Sequence, residues 1–184
     1  MDQREAIKVM INGISRLARA LANRQVAAYI QASCRWRQVL PTPIVEEVAR
    51  KLGGPAVLGA VVRSQADLAH IVRNRLPLAA LKGLSHAGLT EQEIELFVIP
   101  QRTRRHRADK KQPLTVEESD RAVRLLRTQS LAEETFGDKD KANSWLRRPL
   151  TELAHETPLA VAQTEAGARV IETILGKIAW GAAA

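Results

Sequence analysis

The chain of 184 residues carries 28 Lys and Arg against 20 Asp and Glu, a formal net charge of +8, with 45% hydrophobic residues. That mix excludes a wholly disordered chain, and an aromatic share of 3% argues against single-strand binders built on stacked rings. One cysteine, Cys34, excludes an intramolecular disulfide and a cysteine zinc site, and no apolar run reaches a membrane span, so the expectation is a soluble, cytoplasmic, basic protein suited to a nucleic-acid backbone.

Residues 1–40 hold seven basic and two acidic side chains, with Ile7, Met10, Ile11, Ile14, Leu17, Ala18 and Leu21 at helical spacing. They read as a basic amphipathic extension, and Pro41-Thr42-Pro43 as the linker behind it. Gly53-Gly54-Pro55 is a second break. Beyond it, helix punctuation dominates and strand signals are poor. Ser64 with Asp67 caps a short helix through Val72, Pro77 opens another that closes at Gly88, and Thr90 with Glu93 is a capping box for a helix to Val98. Pro100 opens a basic helix ending near Gln112-Pro113. Thr115 with Glu118 starts a long helix carrying Ala122, Leu125, Leu126, Ala132 and Phe136, which Gly137 stops. Asp138 caps a helix through Trp145 and Leu146 that Pro149 ends, Thr157-Pro158 starts a brief turn of helix, and Thr164 caps the last one. In that last helix Gly167, Val170, Ile171, Ile174, Leu175 and Ile178 form an apolar stripe expected to face the core. The fold class is all-α.

The densest charge is RTRRHRADKK at residues 102–111. A capped acidic helix, a tight turn at Ile99-Pro100 and a second helix loaded with Arg make the order of a helix-turn-helix, whose second helix enters the major groove. Arg suits the task because its guanidinium forks onto guanine O6/N7 or phosphate oxygens. The DNA-contacting residues expected are Gln101, Arg102, Thr103, Arg104, Arg105, Arg107, Lys110 and Lys111. A solvated basic face is the plainer alternative. Catalysis finds little support: His70, His86, His106 and His155 are scattered, no zinc-protease, nucleophile-elbow or phosphate-loop motif occurs, and neither a cofactor nor a metal is expected.

The C-terminal run FGDKDKANSWLRRPL, then ETPL, then TEAGARVIETILGKIAWG, resembles the toxin-binding domain of the Xre/MbcA/ParS antitoxin family. The resemblance extends upstream through LGG at 52–54, LPLAALKGLSHAGLTEQEIELFVIPQRT at 76–103 and LTVEESDRAVRL at 114–125, and so spans residues 52–184. It implies an Xre-like helix-turn-helix part at 44–128 and a small helical toxin-binding domain at 129–184, behind an extension and linker at 1–43. It also implies a RES-domain toxin, which consumes NAD⁺, as partner, and operator DNA of the protein's own operon as a second partner. A homodimer on an inverted repeat follows from the usual symmetry of such readers. The toxin-binding residues implied are Trp145, Arg147, Arg148, Pro149, Glu165, Arg169, Lys177, Trp180 and Gly181. Of the same segment, Trp145, Leu146, Pro149, Leu159 and the stripe from Val170 to Ile178 are also what packing a small domain requires, whereas Arg147, Arg148, Glu165, Arg169, Lys177, Trp180 and Gly181 suit a surface and hence a partner. The sequence departs from the family's pattern at Leu153-Ala154-His155, where Leu-Gly-Gly is usual, at Ala160-Val161-Ala162 in place of Leu-Leu, and at Arg104, where an apolar residue is common. A stand-alone helix-turn-helix regulator whose C-terminal domain only dimerises is the alternative reading.

Overall fold

The computed structural model describes residues 42–181; the amphipathic extension, Cys34 and Pro41 discussed above lie outside them. Those residues form ten α-helices and two 3-10 turns, with no strand among the described residues. In chain order the helices are α1 (Thr42–Lys51), α2 (Gly54–Leu58), α3 (Gln65–Arg73), α4 (Leu81–His86), α5 (Glu91–Phe97), α6 (Gln101–Asp109), α7 (Val116–Phe136), α8 (Lys139–Arg147), α9 (Pro158–Val161) and α10 (Glu165–Ala179).

The local sequence fixes most of these boundaries. At Ser64, Thr90 and Thr115 the hydroxyl accepts from the amide three residues on, and the carboxylate there (Asp67, Glu93, Glu118) accepts from the cap's own amide in return. Asp138, Thr157 and Thr164 cap α8, α9 and α10 with their side chains. Each such cap contributes about 1 kcal/mol by satisfying an orphan amide. The segment read as a linker is shorter than expected: α1 already starts at Thr42, and Pro43 falls in its first turn, where a missing N–H breaks no helical bond. Ile44, Val45, Val48 and Ala49 are buried along this helix, and Leu52 just past its end.

The organising element is α7. Ala122, Val123, Leu125, Leu126 and Ala132 are buried on it together with Ser119, Thr128, Gln129 and Ser130, so it is enclosed over most of its circumference. Helices α1 and α3 pack on it, as do α8 and α10. Its polar residues have work inside the fold. Ser119 Oγ accepts from the amide of Leu76 at 2.9 Å and donates to Thr115 O at 2.7 Å. Gln129 Oε1 accepts from Lys51 Nζ of α1 at 2.9 Å, and Lys51 is further paired with Glu133. On the other side α10 is bound by charge as well as by Ile171 and Leu175: Arg127 meets Glu172 at 2.8 Å and Glu165 at 3.4 Å. Gly167 lets α10 close on α9, because a Cβ there would lie 1.9 Å from the carbonyl oxygen of Val161.

Candidate functional site: a basic helix and an exposed C-terminal end

The first surface is built by α5 and α6. Ile94, Phe97, Val98 and Ile99 are buried under the α5–α6 turn, and the amides of Val98 and Ile99 both donate to Ile94 O, at 3.0 and 3.1 Å. Helix α6, by contrast, buries none of its residues. It is moored by polar bonds: Gln101 N donates to Glu95 at 3.3 Å, Arg104 pairs with Glu91 at 2.6 Å, and Arg107 donates to Pro113 O at 3.0 Å and meets Glu118 at 3.2 Å. Arg104 draws the carboxyl of Glu91 below the ordinary value by hydrogen bonding first and by charge second.

The expected DNA-contacting set therefore divides. Thr103, Arg104 and Arg107 lie half-buried on the side of α6 turned toward the protein, while Gln101, Arg102, Arg105, Lys110 and Lys111 are exposed. Arg104 is turned toward the protein rather than outward. It fills a position turned toward α5 and satisfies its charge there with Glu91. That explains how Arg stands where an apolar side chain would suffice.

The second surface lies at the chain's C-terminal end. Arg148 and Pro149 are exposed at the end of α8, and Arg169, Lys177, Trp180 and Gly181 are exposed on α10 and just past it. Trp180 is 68% exposed. Glu165 is half-exposed but engaged, pairing with Arg127 and with Arg169 at 3.3 Å. Three expectations need correction. The stripe of α10 is narrower than its spacing suggests: Gly167, Ala168, Ile171 and Leu175 are buried, Ile174 and Ile178 only partly, and Val170 is 46% exposed. The reason is that α10 leans on α7 along one side only, and Val170 sits on the far flank of the buried row.

Arg147 is the second correction. Expected at the surface, it is half-buried and engaged by neighbours within the chain. Its Nε and Nη2 donate to Glu93 at 2.8 and 2.7 Å, Nη2 also to Gly88 O at 2.8 Å, and Nη1 to Asn143 O at 3.0 Å. Trp145 is half-buried, with its ring 5.6 Å from that of Phe136, and Pro149, expected in the core, is exposed. The departure at Leu153-Ala154-His155 keeps a tight turn without glycine: Ala154 and His155 take φ of 52° and 64°, and His155 N donates to Leu150 O at 2.9 Å.

Sequence reasoning missed α1 and its Lys51, although Pro43 and the apolar spacing from Ile44 to Leu52 signal a helix. The four histidines are exposed on separate elements, and no group of three or more His, Cys, Asp or Glu gathers at metal-binding distance among the described residues. No helix among them is long and apolar enough to cross a membrane.

Comparison with known proteins matches the segments that carry these surfaces to described families. Residues 67–127 match the antitoxin Xre-like helix-turn-helix domain, and residues 131–181 match the antitoxin Xre/MbcA/ParS C-terminal toxin-binding domain. Among curated relatives, a protein named antitoxin Xre from Yersinia enterocolitica is 34% identical over 144 residues, covering 77% of this chain and 95% of its own. Proteins of the same name from Pseudomonas putida and Photorhabdus laumondii are 39% and 38% identical over 84 and 76 residues, 46% and 41% of this chain. The chain spans only about half the length of these two, 53% and 51%.

Proposed function

Because the chain belongs to the Xre/MbcA/ParS family of antitoxins, we propose that it neutralises a cognate toxin by direct binding and represses its own operon through α6. The observation that carries this reading is the row of outward polar and basic side chains on α6, Gln101, Arg102, Arg105, Lys110 and Lys111, on the second helix of a tight helix-turn-helix. Their charges neutralise phosphates, and Gln101 and Arg102 stand at the N-terminal end of the helix, the end that approaches base edges in this motif. A homodimer on an inverted repeat matches the two-fold symmetry such readers use.

The toxin in this reading is a RES-domain, NAD⁺-consuming protein in the cytoplasm. The exposed end of α10 with Arg169, Lys177, Trp180 and Gly181, and the exposed Arg148-Pro149 step, supply the contact surface. An antitoxin end lying over or inside a cleft that must admit a dinucleotide excludes the substrate. Trp180 is the anchor, since a large aromatic side chain at such a surface is the commonest hot spot.

Co-expression with the product of the neighbouring gene tests the proposal. The expected result is copurification, rescue of growth and loss of NAD⁺ hydrolysis in the mixture, together with a mobility shift on the promoter fragment by the free protein. Operator binding without any interaction with the neighbouring product would leave a stand-alone regulator.

A further inference from the structure

Three side chains of α8 stand in one row at a spacing of four residues: Lys139, Asn143 and Arg147. Residues so spaced lie on one face of a helix. Each meets the turn that joins α4 to α5, in order along the backbone. Lys139 Nζ donates to His86 O at 2.5 Å, Asn143 Nδ2 reaches Ala87 O at a long 3.5 Å, and Arg147 Nη2 donates to Gly88 O at 2.8 Å. Arg147 then continues to Glu93 with two parallel bonds of 2.8 and 2.7 Å. Glu93 is the residue that closes the capping box of α5, accepting from Thr90 N at 2.8 Å. The turn packs closely against α8. A Cβ on Gly88, whose φ is 103°, would lie 2.5 Å from Asn143 Nδ2.

The row lies in the segment matched to toxin binding, and what it holds lies in the segment matched to the helix-turn-helix. Helix α5 is in turn what α6 rests on, through Glu91 to Arg104 and Glu95 to Gln101 N. We propose that Lys139, Asn143 and Arg147 are positioning residues for operator reading: α8 fixes the start of α5, α5 fixes α6, and Arg147 supplies the main part of the hold. Arg147 is on this account no toxin contact. A bidentate charged pair serves here because it sets both the distance and the plane of the Glu93 carboxylate, which a single ammonium cannot do. The inference rests on the DNA-binding reading of α6 for its functional consequence, and on contacts alone for the hold itself.

The test uses the full chain and the variants R147A, R147K and E93Q, with a labelled duplex from the promoter as probe. R147A should weaken operator binding by about tenfold. The slope of log affinity against log salt should keep its wild-type value, because no phosphate contact is lost. R147K and E93Q should fall between, and growth rescue against the toxin should persist in all three. In the DNA-free protein, amide hydrogen exchange over residues 89–110 should quicken in R147A, while protection over α10 stays as in wild type. Unchanged exchange over 89–110 with unchanged operator affinity would overturn the proposal. So would lost growth rescue with intact operator binding, which makes Arg147 a toxin contact. If the wild-type chain shifts no promoter duplex, the DNA reading fails, and the exchange data still decide whether α8 holds α5 and α6. Should R147A not fold, R147K and N143A carry the same comparison.

Discussion

Arg104 ends on Glu91, whereas Arg105, about 100° further round α6, stands in solvent, so the two neighbours should answer substitution differently. Arg105→Ala removes an outward charge and should lower the salt slope of operator binding by about 0.9 if that charge meets a phosphate. Arg104→Leu places an apolar side chain at an inward position and should leave the slope unchanged. A salt titration of both variants reads the difference directly. The turn at Ala154 and His155 invites a second substitution. Both hold positive φ without being glycine, a conformation that costs roughly 1–2 kcal/mol for a residue with a Cβ. Glycine at either position relieves that strain but gains freedom in the unfolded chain, for a net of about 0.5–1 kcal/mol. Ala154→Gly and His155→Gly should each raise the melting temperature by about 1–4 °C, as calorimetry would show.

Among the elements, α5 carries a titration that the caps make predictable. Burial pushes the Glu93 carboxyl up, but the bonds from Arg147 and then from the Thr90 amide outweigh it and hold it below its ordinary 4.5. A carboxylate depressed in the folded state contributes stability that is complete above the unfolded value and lost as pH falls through the folded one. Wild type should therefore exceed E93Q in stability at neutral pH, and the gap should close as the pH drops below about 4.5. Melting the two proteins from pH 7 to pH 3 measures it. Most helices were legible because their ends are written in short-range chemistry: Ser64, Thr90, Thr115 and Thr164 each satisfy an amide three residues on. Less legible was anything settled by distant partners. Arg147 is outward by its place near a helix end and inward because Glu93, 54 residues away in sequence, is there to receive it. Val170 fits a helical stripe by spacing, yet α10 meets α7 along one flank only and leaves it exposed. The start of α1 escaped because Pro41 and Pro43 look like a linker, although proline also suits a helix's first turn.

At the scale of the whole molecule, the basic helix and the C-terminal end are separate surfaces on one body. Trp180 is exposed and is not one of the buried residues of α10, so its truncation to Ala should leave helicity and promoter binding in place. If Trp180 anchors the toxin, neutralisation should weaken by about 30- to 1000-fold, the equivalent of roughly 2–4 kcal/mol. Titrating NAD⁺ hydrolysis with W180A measures that loss, and full inhibition would move the interface toward Arg148-Pro149. The two matched segments, however, meet between residues 127 and 131, in the middle of α7 rather than in a loop. Ser119 to Leu126 on one half of that helix and Thr128 to Ala132 on the other belong to one continuous buried row. Recombination between genes of this family has no seam to use there, since a crossover within α7 must match both cores at once. A crossover at Gly137 would part α8 from the turn that Lys139 and Arg147 hold. On this frame the segments matched to the helix-turn-helix and to the toxin-binding domain should be inherited together.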